Sequence, residues 1–255
     1  MKYKIHVADI GAAALGEAPP YNPLLNRGLM SLSAFDGDDR QKQPLVDIYK
    51  NNFRFYGDII ADGKDHLLYV MYPLSGMSSI LKPSAKHLKF FNGFEGFGTV
   101  INTIPVKSKR LDDIEELEPI DYLKMDVQGS ELMVLTHGTK KLTDCVAIHL
   151  EVSFIPLYEN QPCFGQIDMW MREHGFVPHC FETVKNWSIT PTLRDGDFRR
   201  PYNQLLEADI IYVKDPLEPD KFSDLQLRKL MDIVSYCYHS PDLAGYLSLE
   251  LQKRG

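Results

Sequence analysis

Short apolar runs of strand length alternate along most of the chain with stretches whose apolar residues recur at helical spacing. Seven such runs stand out, at residues 5–10, 29–35, 53–60, 122–127, 145–152, 176–181 and 208–213. Before the sixth run, Ile167, Trp170 and Met171 mark one face of a helix that spans Phe164 to Glu173. Strands that alternate with helices build a sheet that is covered on both faces. The pattern therefore predicts an α/β fold, a doubly wound sheet with a ligand cleft at the strand ends.

Three further segments add to this core. The runs at residues 67–72 and 99–106 have strand character and precede the fourth main strand, which predicts an inserted β-hairpin. From Pro216 onward, leucines recur at helical spacing, which predicts a C-terminal helix pair that serves packing or a homodimer contact. We therefore divide the chain into a domain at 1–215 and a helical extension at 216–255. The aromatic, glycine-rich segment at 90–98 is either a mobile flap over the cleft or a buried loop.

The amino-acid composition argues against some classes of protein. The chain has 255 residues, a hydrophobic content of 44% and a formal net charge of −7. Binding of a phosphate backbone relies on an excess of lysine and arginine, so an acidic net charge argues against a nucleic-acid partner. No apolar run approaches the roughly 20 residues that cross a bilayer, and Asp9 interrupts the first apolar segment. We therefore expect a cytoplasmic protein without a membrane span.

The stretch around Asp126 is the centre of the sequence pattern. A short apolar strand ends at this acid, Gln128 and Gly129 break the strand, and Glu131 lies in the first turn of the helix that follows. Ligands of open parallel sheets bind outside the carboxyl ends of the strands, so Asp126 is expected to face the cleft. A structural alternative makes Asp126 a helix N-cap and Glu131 a capping-box acid.

The first two strands also end in acids followed by small residues. The first ends in Asp9-Ile-Gly11-Ala12, and glycine there allows the backbone to approach a ligand closely. The segment is not G-x-G-x-x-G, so a nicotinamide cofactor is disfavoured. The second strand ends in Asp36-Gly37, where a carboxylate can accept hydrogen bonds from both ribose hydroxyls. The alternative for Asp36 is a surface turn rich in aspartate.

A polar pair interrupts the fifth apolar run. His149 and Glu151 are two residues apart in a strand and therefore point to the same face, near the end that presents Asp126. Burying two polar side chains on an apolar strand is costly without partners. They are therefore candidates for function, and the structural alternative is a core histidine that is hydrogen-bonded to Glu151.

The run from Asp121 to Glu131 resembles the D-[FY]-[LI]-K-[IM]-D-V-E-G-x-E signature of FkbM-type S-adenosylmethionine-dependent methyltransferases. It departs at Gln128, where the family usually has glutamate. Shorter matches occur in the family's order: D-I-G-A, with Ala13 in place of the usual asparagine, then A-F-D for A-F-E, and later L-E-V followed by L-Y. The resemblance covers roughly residues 7 to 214.

The resemblance implies a Rossmann-like, seven-stranded class I methyltransferase sheet that binds S-adenosylmethionine. Several residues would then border the cofactor. Asp9, Gly11 and Ala12 would border its amino-acid part, Asp36 and Gly37 its ribose and Asp62 its adenine, with Asp126 also in contact. Glu17, Tyr21 and Asn22, in the first loop, would lie over the cofactor.

The resemblance also implies O-methylation of a hydroxyl on a sugar, polyketide or related metabolite, so the partner is a small-molecule or glycan acceptor. Asp126 is the first candidate for the catalytic base, with Glu151 or His149 next, and Glu131 would orient the acceptor. In a metal-assisted alternative, these four side chains hold a divalent ion. In a non-catalytic alternative, the departure at Gln128 marks a protein that binds the cofactor or a partner without turnover.

Overall fold

A computed structural model describes residues 3–13, 18–50, 53–72 and 75–255. The strands are β1 (Ile5–Ile10), β2 (Met30–Phe35), β3 (Phe53–Tyr56), β4 (Ile59–Ile60), β5 (Asp65–Met71), β6 (Val100–Lys109), β7 (Tyr122–Met125), β8 (Ala147–Ser153), β9 (Phe176–Asn186) and β10 (Leu205–Lys214). The helices are α1 (Asn22–Asn26), α2 (Lys42–Tyr49), α3 (Ala85–Phe90), α4 (Phe94–Phe97), α5 (Glu131–Thr136), α6 (Phe164–Glu173), α7 (Asp224–Tyr236) and α8 (Pro241–Gln252).

The main sheet has seven strands in the order β3-β2-β1-β7-β8-β10-β9. All neighbouring strands are parallel except β10, which runs antiparallel to both β8 and β9. The strand order reverses between β1 and β7, which makes their carboxyl ends the switch point where such sheets bind ligands. The predicted Rossmann-like, seven-stranded α/β sheet is confirmed.

Two apolar clusters cover the two faces of this sheet. On one face, Val7 and Ile211 of the sheet pack with Leu24 of α1 and Leu227 of α7. On the other face, alternate strand residues pack against α5 and α6. Four side chains of α7 are fully buried, namely Leu227, Leu230, Ile233 and Val234, and each contributes about 1.5–3 kcal/mol of burial free energy. The predicted C-terminal helix pair is therefore confirmed, and its first helix shares its apolar cluster with the sheet.

A second, three-stranded sheet is inserted between β3 and β7. Strands β5 and β6 pair antiparallel with Leu67 opposite Pro105, which confirms the predicted hairpin. The prediction of one continuous third strand over 53–60 is wrong, because β4 leaves the main sheet and pairs with the end of β6. The strand is interrupted at Gly57 and Asp58. Asp58 forms an ion pair with Lys109 of β6 at 2.9 Å. This pairing draws the second half of the run towards the inserted sheet.

The aromatic segment at 90–98 is packed against the protein. Phe91 and Phe94 are 1% and 5% exposed, and they belong to a third apolar cluster together with Leu157. Trp187 stacks edge-on against Phe94 and donates a hydrogen bond to the backbone oxygen of Asn92 at 2.8 Å. Of the two alternatives for this segment, buried packing is the one that the structure shows.

In the part of the chain that the structure describes, no helix has both the length and the apolar character that crossing a membrane requires.

Candidate functional site

The carboxyl ends of β1 and β7 meet in close backbone contact. Gly11 has a φ of +81°, and a Cβ added to it would collide with the backbone oxygen of Asp126. The Asp126 amide donates to Ile10 O at 3.0 Å, and the amides of Gly11 and Ala12 both donate to Phe35 O. Only glycine satisfies both the positive φ and the lack of space. These contacts therefore fix the turn after β1 to the ends of β2 and β7. A binding site that spans these strands needs such a fixed turn.

Asp9 is buried, and the protein itself surrounds its carboxylate. Oδ2 accepts a hydrogen bond from the hydroxyl of Tyr21 at 2.6 Å. Oδ1 lies 3.2 Å from Nζ of Lys124, the residue directly opposite on β7, but accepts no hydrogen bond. The side chain of Asp9 is 5% exposed, whereas that of Lys124 is 20% exposed. Of the loop residues predicted to cover the cofactor, Glu17 lies outside the described residues, and Tyr21 holds Asp9.

Asp36 lies at the end of β2, beside Asp9. Its Oδ1 accepts the Asp38 amide at 2.7 Å. Burial, together with the negative charges of Asp38 and Asp9, raises the pKa of Asp36 to about 6, although the Asp38 amide opposes the shift. A Cβ on Gly37 would lie 2.5 Å from Cγ1 of Ile59, so β4 packs directly over this turn. A second carboxylate oxygen remains for a ligand, and the ribose role of Asp36 stays a prediction.

Both carboxylate oxygens of Asp62 contact neighbouring residues. Oδ1 lies 2.7 Å from Nε2 of His66 and accepts the Lys64 amide at 3.1 Å, while Oδ2 pairs with Nζ of Lys64 at 3.1 Å. Burial acts to raise the pKa of Asp62, but the hydrogen bonds from His66 and Lys64 prevail and hold it well below its ordinary value. Both oxygens are therefore in use, and the structure gives no support to the predicted contact with adenine.

Asp126 lies at the end of β7, and the turn that follows orients it. Gln128 Nε2 donates to Asp126 Oδ1 at 2.7 Å. The hydroxyl of Tyr158, which has a single hydrogen, lies 2.8 Å from Met77 O and 3.1 Å from Gln128 Oε1. The hydroxyl of Ser79 donates to the backbone oxygen of Gln128, which has a φ of +52°. No hydrogen bond from the described residues reaches Oδ2 of Asp126. Gln128 thus holds one carboxylate oxygen of Asp126, and the other has no hydrogen-bond partner among the described residues.

Glu131 is buried at the start of α5. It is 3% exposed, and its Oε1 accepts the backbone amides of Val127 and Gly129 at 3.2 and 3.1 Å. Burial raises the pKa of Glu131 to about 7. Oε1 therefore closes the turn that carries Gln128, which agrees with the structural alternative in which Glu131 caps backbone amides. The role of Glu131 in orienting the acceptor stays a prediction.

His149 is buried between Tyr238 and Asp209. Nδ1 lies 3.1 Å from the hydroxyl of Tyr238, which follows α7 and is hydrogen-bonded to Tyr122 of β7. Nε2 lies 3.9 Å from Oδ1 of Asp209 on β10, within ion-pair range but beyond hydrogen-bond distance. Asp209 also accepts from the hydroxyl of Thr183 at 2.5 Å. The structural alternative for His149, a hydrogen bond to Glu151, is absent from the described structure.

Glu151 is the acid of the site with the fewest hydrogen-bond partners among the described residues. It lies opposite Asp209 in the sheet register, and it follows Leu150, the partner of Met125, so it lies level with Asp126. Burial and the charges of Glu207, Asp126 and Glu131 raise the pKa of Glu151 well above its ordinary value. Glu207 itself forms an ion pair with Lys185. Within the described chain, the Glu151 carboxyl has no hydrogen-bond partner, so it is available to a bound molecule.

A metal site needs several ligands that converge. Within the residues that the structure describes, no group of three or more His, Cys, Asp or Glu side chains is arranged to hold a metal ion. The four side chains of the metal-assisted alternative do not converge, because Glu131 faces backbone amides and His149 faces Tyr238.

Three contributors to the site were not identified from the sequence. Lys124 lies two residues before Asp126, and the alternation of a strand places it on the face of Asp9, so a signal existed. Asp209 stands in an apolar strand, as His149 does, and the same argument would have found it. Tyr238 has no local signal, because its contacts lie 89 and 116 residues away in the sequence.

Two features of the strand ends fit an S-adenosylmethionine site. The turn at Gly11 presents backbone where a Cβ has no room, and Asp36 retains a carboxylate oxygen on the next strand for a hydroxyl donor. These groups lie on adjacent strands at the switch point, where an extended nucleoside cofactor would contact both of them. The carboxylate of Asp9 is enclosed by the protein.

Comparisons with known proteins agree with the sequence pattern. The chain matches the methyltransferase FkbM domain family over residues 46–178, more than half of its length, and the match includes the Asp121–Glu131 signature. No protein of curated function matches the sequence significantly.

Solved structures similar to the chain include three methyltransferases of low sequence identity. A putative methyltransferase from Thermoplasma acidophilum is 9% identical, with 84% of this chain and 70% of that chain covered and a TM-score of 0.39. Magnesium protoporphyrin IX methyltransferase from Synechocystis, with bound S-adenosylmethionine, is 11% identical, with 84% and 71% covered and a TM-score of 0.39. A putative S-adenosylmethionine-dependent methyltransferase from Listeria monocytogenes is 9% identical, with 84% and 91% covered and a TM-score of 0.43. On the family match, the chain belongs to the FkbM methyltransferases, enzymes whose methyl donor is S-adenosylmethionine.

Proposed function

We propose that the protein is an O-methyltransferase that acts on a hydroxyl of a sugar, polyketide or related metabolite. The proposal rests on a single observation, the hydrogen bonding of the two carboxylate oxygens of Asp126. This acid stands at the switch point with one oxygen held by Gln128 at 2.7 Å and the other without a partner among the described residues. An oriented carboxylate at this position suits removal of a proton from an alcohol.

The chemistry requires such a group. When bound, S-adenosylmethionine supplies an electrophilic methyl group, and transfer to oxygen is an in-line displacement that depends on positioning. A protonated alcohol is a poor nucleophile, so a base that takes its proton during attack accelerates the step. Asp126 takes that proton at Oδ2, while the hydrogen bond from Gln128 keeps the carboxylate from rotating away.

Glu151 has a different role in this proposal. Burial and the acids around it raise the pKa of Glu151 well above its ordinary value, which favours the protonated form. A protonated carboxyl donates a hydrogen bond, and two acids in contrasting environments divide the work of donor and base. Glu151 therefore binds an oxygen of the acceptor, and Asp126 acts as the base.

His149 orients its neighbour and does not act as a base. The ionised Asp209 favours a proton on Nε2 of His149, which leaves Nδ1 to accept from Tyr238. In this tautomer the imidazole has no free nitrogen facing the cleft. The earlier expectation that His149 is a base gives way to a role in holding Asp209.

The test uses methyl-labelled S-adenosylmethionine with a panel of sugar, polyketide and phenolic alcohols, and amines as the comparison. We expect label on an oxygen of at least one alcohol, and Asp126→Asn lowers kcat by about 100- to 10,000-fold. The isosteric Asn keeps the hydrogen bond from Gln128, so binding of S-adenosylhomocysteine is retained. Transfer to nitrogen alone, or full activity in Asp126→Asn, would overturn the proposal.

A further inference from the structure

Lys124 lies in the middle of the strand ends and has not been assigned a role. It stands on β7 between Asp9 of β1 and His149 of β8, each directly opposite it in the register. Its Nζ lies 3.2 Å from Oδ1 of Asp9, in an ion pair that lacks hydrogen-bond alignment. The ammonium carries three N–H donors, and no described residue accepts a hydrogen bond from it.

The surroundings of Lys124 are acidic. Its charge acts on Asp36 of β2 and on Asp209 of β10, and the charges of Asp9 and Asp126 raise its own pKa against the effect of burial. Lys185, a second lysine near these acids, is already paired with Glu207. Among the described side chains at the ends of β1, β2 and β7, Lys124 is therefore the cation that can meet an anionic ligand, through the N–H donors that its ion pair with Asp9 does not use.

Asp9 holds this lysine in place. Tyr21 fixes one oxygen of Asp9 at 2.6 Å, and the other oxygen faces Lys124. Asp9 is almost fully enclosed, whereas the lysine side chain is partly exposed. A contact between Asp9 and the cofactor would need an exposed oxygen, which Asp9 lacks. Lys124 is the more exposed member of this pair, and the charges of Asp126 and Asp209 at the strand ends act on it.

S-Adenosylmethionine carries a carboxylate at its amino-acid end. Placing that carboxylate among acidic side chains requires a cation, because an unpaired charge in a partly buried site is unfavourable. We propose that Lys124 binds the cofactor's carboxylate and that Asp9 acts through Lys124 as a positioning residue. The inference rests on S-adenosylmethionine being the cofactor, and it deepens the site by naming the group that recognises its amino-acid part.

The experiment compares two ligands by calorimetry. One is S-adenosylhomocysteine, and the other is its decarboxylated form, which keeps the adenosine, the sulfur and the amine. The wild-type protein should bind the first more tightly. In Lys124→Met the affinity for S-adenosylhomocysteine should fall about 10- to 100-fold, the range of a charge-assisted hydrogen bond, while the affinity for the decarboxylated ligand stays unchanged or rises.

Two further variants separate recognition from folding. Lys124→Met leaves Asp9 buried and unpaired, so Asp9→Asn/Lys124→Met is measured beside it and should show the same loss of discrimination. Asp36→Ala, at the ribose position, should weaken both ligands alike. Equal weakening of both ligands in the Lys124 variants, with native melting temperatures, would overturn the role of Lys124. Failure of the wild-type protein to bind either ligand would instead overturn the cofactor site itself.

Discussion

Gln128 donates a hydrogen bond to Asp126 at 2.7 Å, at a position where the related signature carries a glutamate. A glutamate there would place a second negative charge beside the proposed base, and like charges raise each other's pKa. The amide instead orients the carboxylate without repelling it. The departure from the family pattern therefore preserves an acid poised for proton transfer, and it offers no support for a non-catalytic protein.

Gln128→Glu should move the pH dependence of the reaction. A second carboxylate beside the proposed base makes the state in which both are ionised less favourable, so the acidic limb of kcat shifts to higher pH. The measurement is kcat against pH with any acceptor found by the label assay. Gln128→Met, which removes the hydrogen bond without adding charge, is the matched control and should lower kcat with little shift. An unchanged acidic limb in Gln128→Glu would contradict the proximity argument.

Binding of S-adenosylhomocysteine should depend on the ionisation of Asp36. The pKa of Asp36 is raised to about 6 in the free protein. Ribose hydroxyls that donate to the carboxylate stabilise its ionised form, so the pKa is lower in the complex. Affinity should therefore rise with pH up to about 6 and level off above it.

The check on this prediction is calorimetry between pH 5 and 8, with Asp36→Asn as the control. The variant has no carboxylate to titrate, so its affinity should vary less over the same range. If the wild type and Asp36→Asn show the same pH dependence, the ribose contact is wrong.

Removing the hydroxyl of Tyr238 should free the imidazole of His149. Tyr238→Phe deletes the donor to Nδ1, whereas Tyr122→Phe keeps it and deletes only the outer partner. Each buried hydrogen bond contributes about 1 kcal/mol to the free energy of unfolding, so both variants should melt a few degrees lower. Nitrogen NMR of His149 should show the Nε2–H tautomer in wild type and Tyr122→Phe, and a mixture in Tyr238→Phe. An unaltered spectrum in Tyr238→Phe would contradict the proposed chain of hydrogen bonds.

Chelators should leave the activity unchanged. The described side chains include no group of three ligands arranged to hold a metal ion, and the proposed base acts without one. The measurement is the methyl-transfer rate after treatment with EDTA and again after addition of magnesium. Activity that disappears in chelator and returns with magnesium would favour the metal-assisted alternative.

The parts of the site that follow from local pattern could be predicted. Asp9, Asp36 and Asp126 each end an apolar run, and the strand rule brings them to one edge of the sheet. The contacts of Glu131 could not be predicted, because the sequence does not show which way a residue in the first helical turn points. Its carboxylate turns back to the amides of Val127 and Gly129.

Long-range partners could not be predicted in the same way. Tyr238 enters the site because α7 packs on the sheet, and no spacing in the sequence links it to His149. The second half of the run at 53–60 pairs instead with Ser108 and Lys109 of β6, about 50 residues later in the sequence. Such contacts are set by tertiary packing, which overrides the local strand pattern at residues 53–60.

The central claim is that the ends of β1, β2 and β7 bind S-adenosylmethionine and leave Asp126 free for chemistry. Calorimetric titration with S-adenosylhomocysteine of the wild-type protein, Asp36→Ala and Asp126→Asn tests it most directly. We predict micromolar binding by the wild type, binding about tenfold weaker or worse in Asp36→Ala through loss of hydrogen bonds to the ribose, and near-native binding in Asp126→Asn. No binding by the wild type, or equal loss in both variants, would contradict the account.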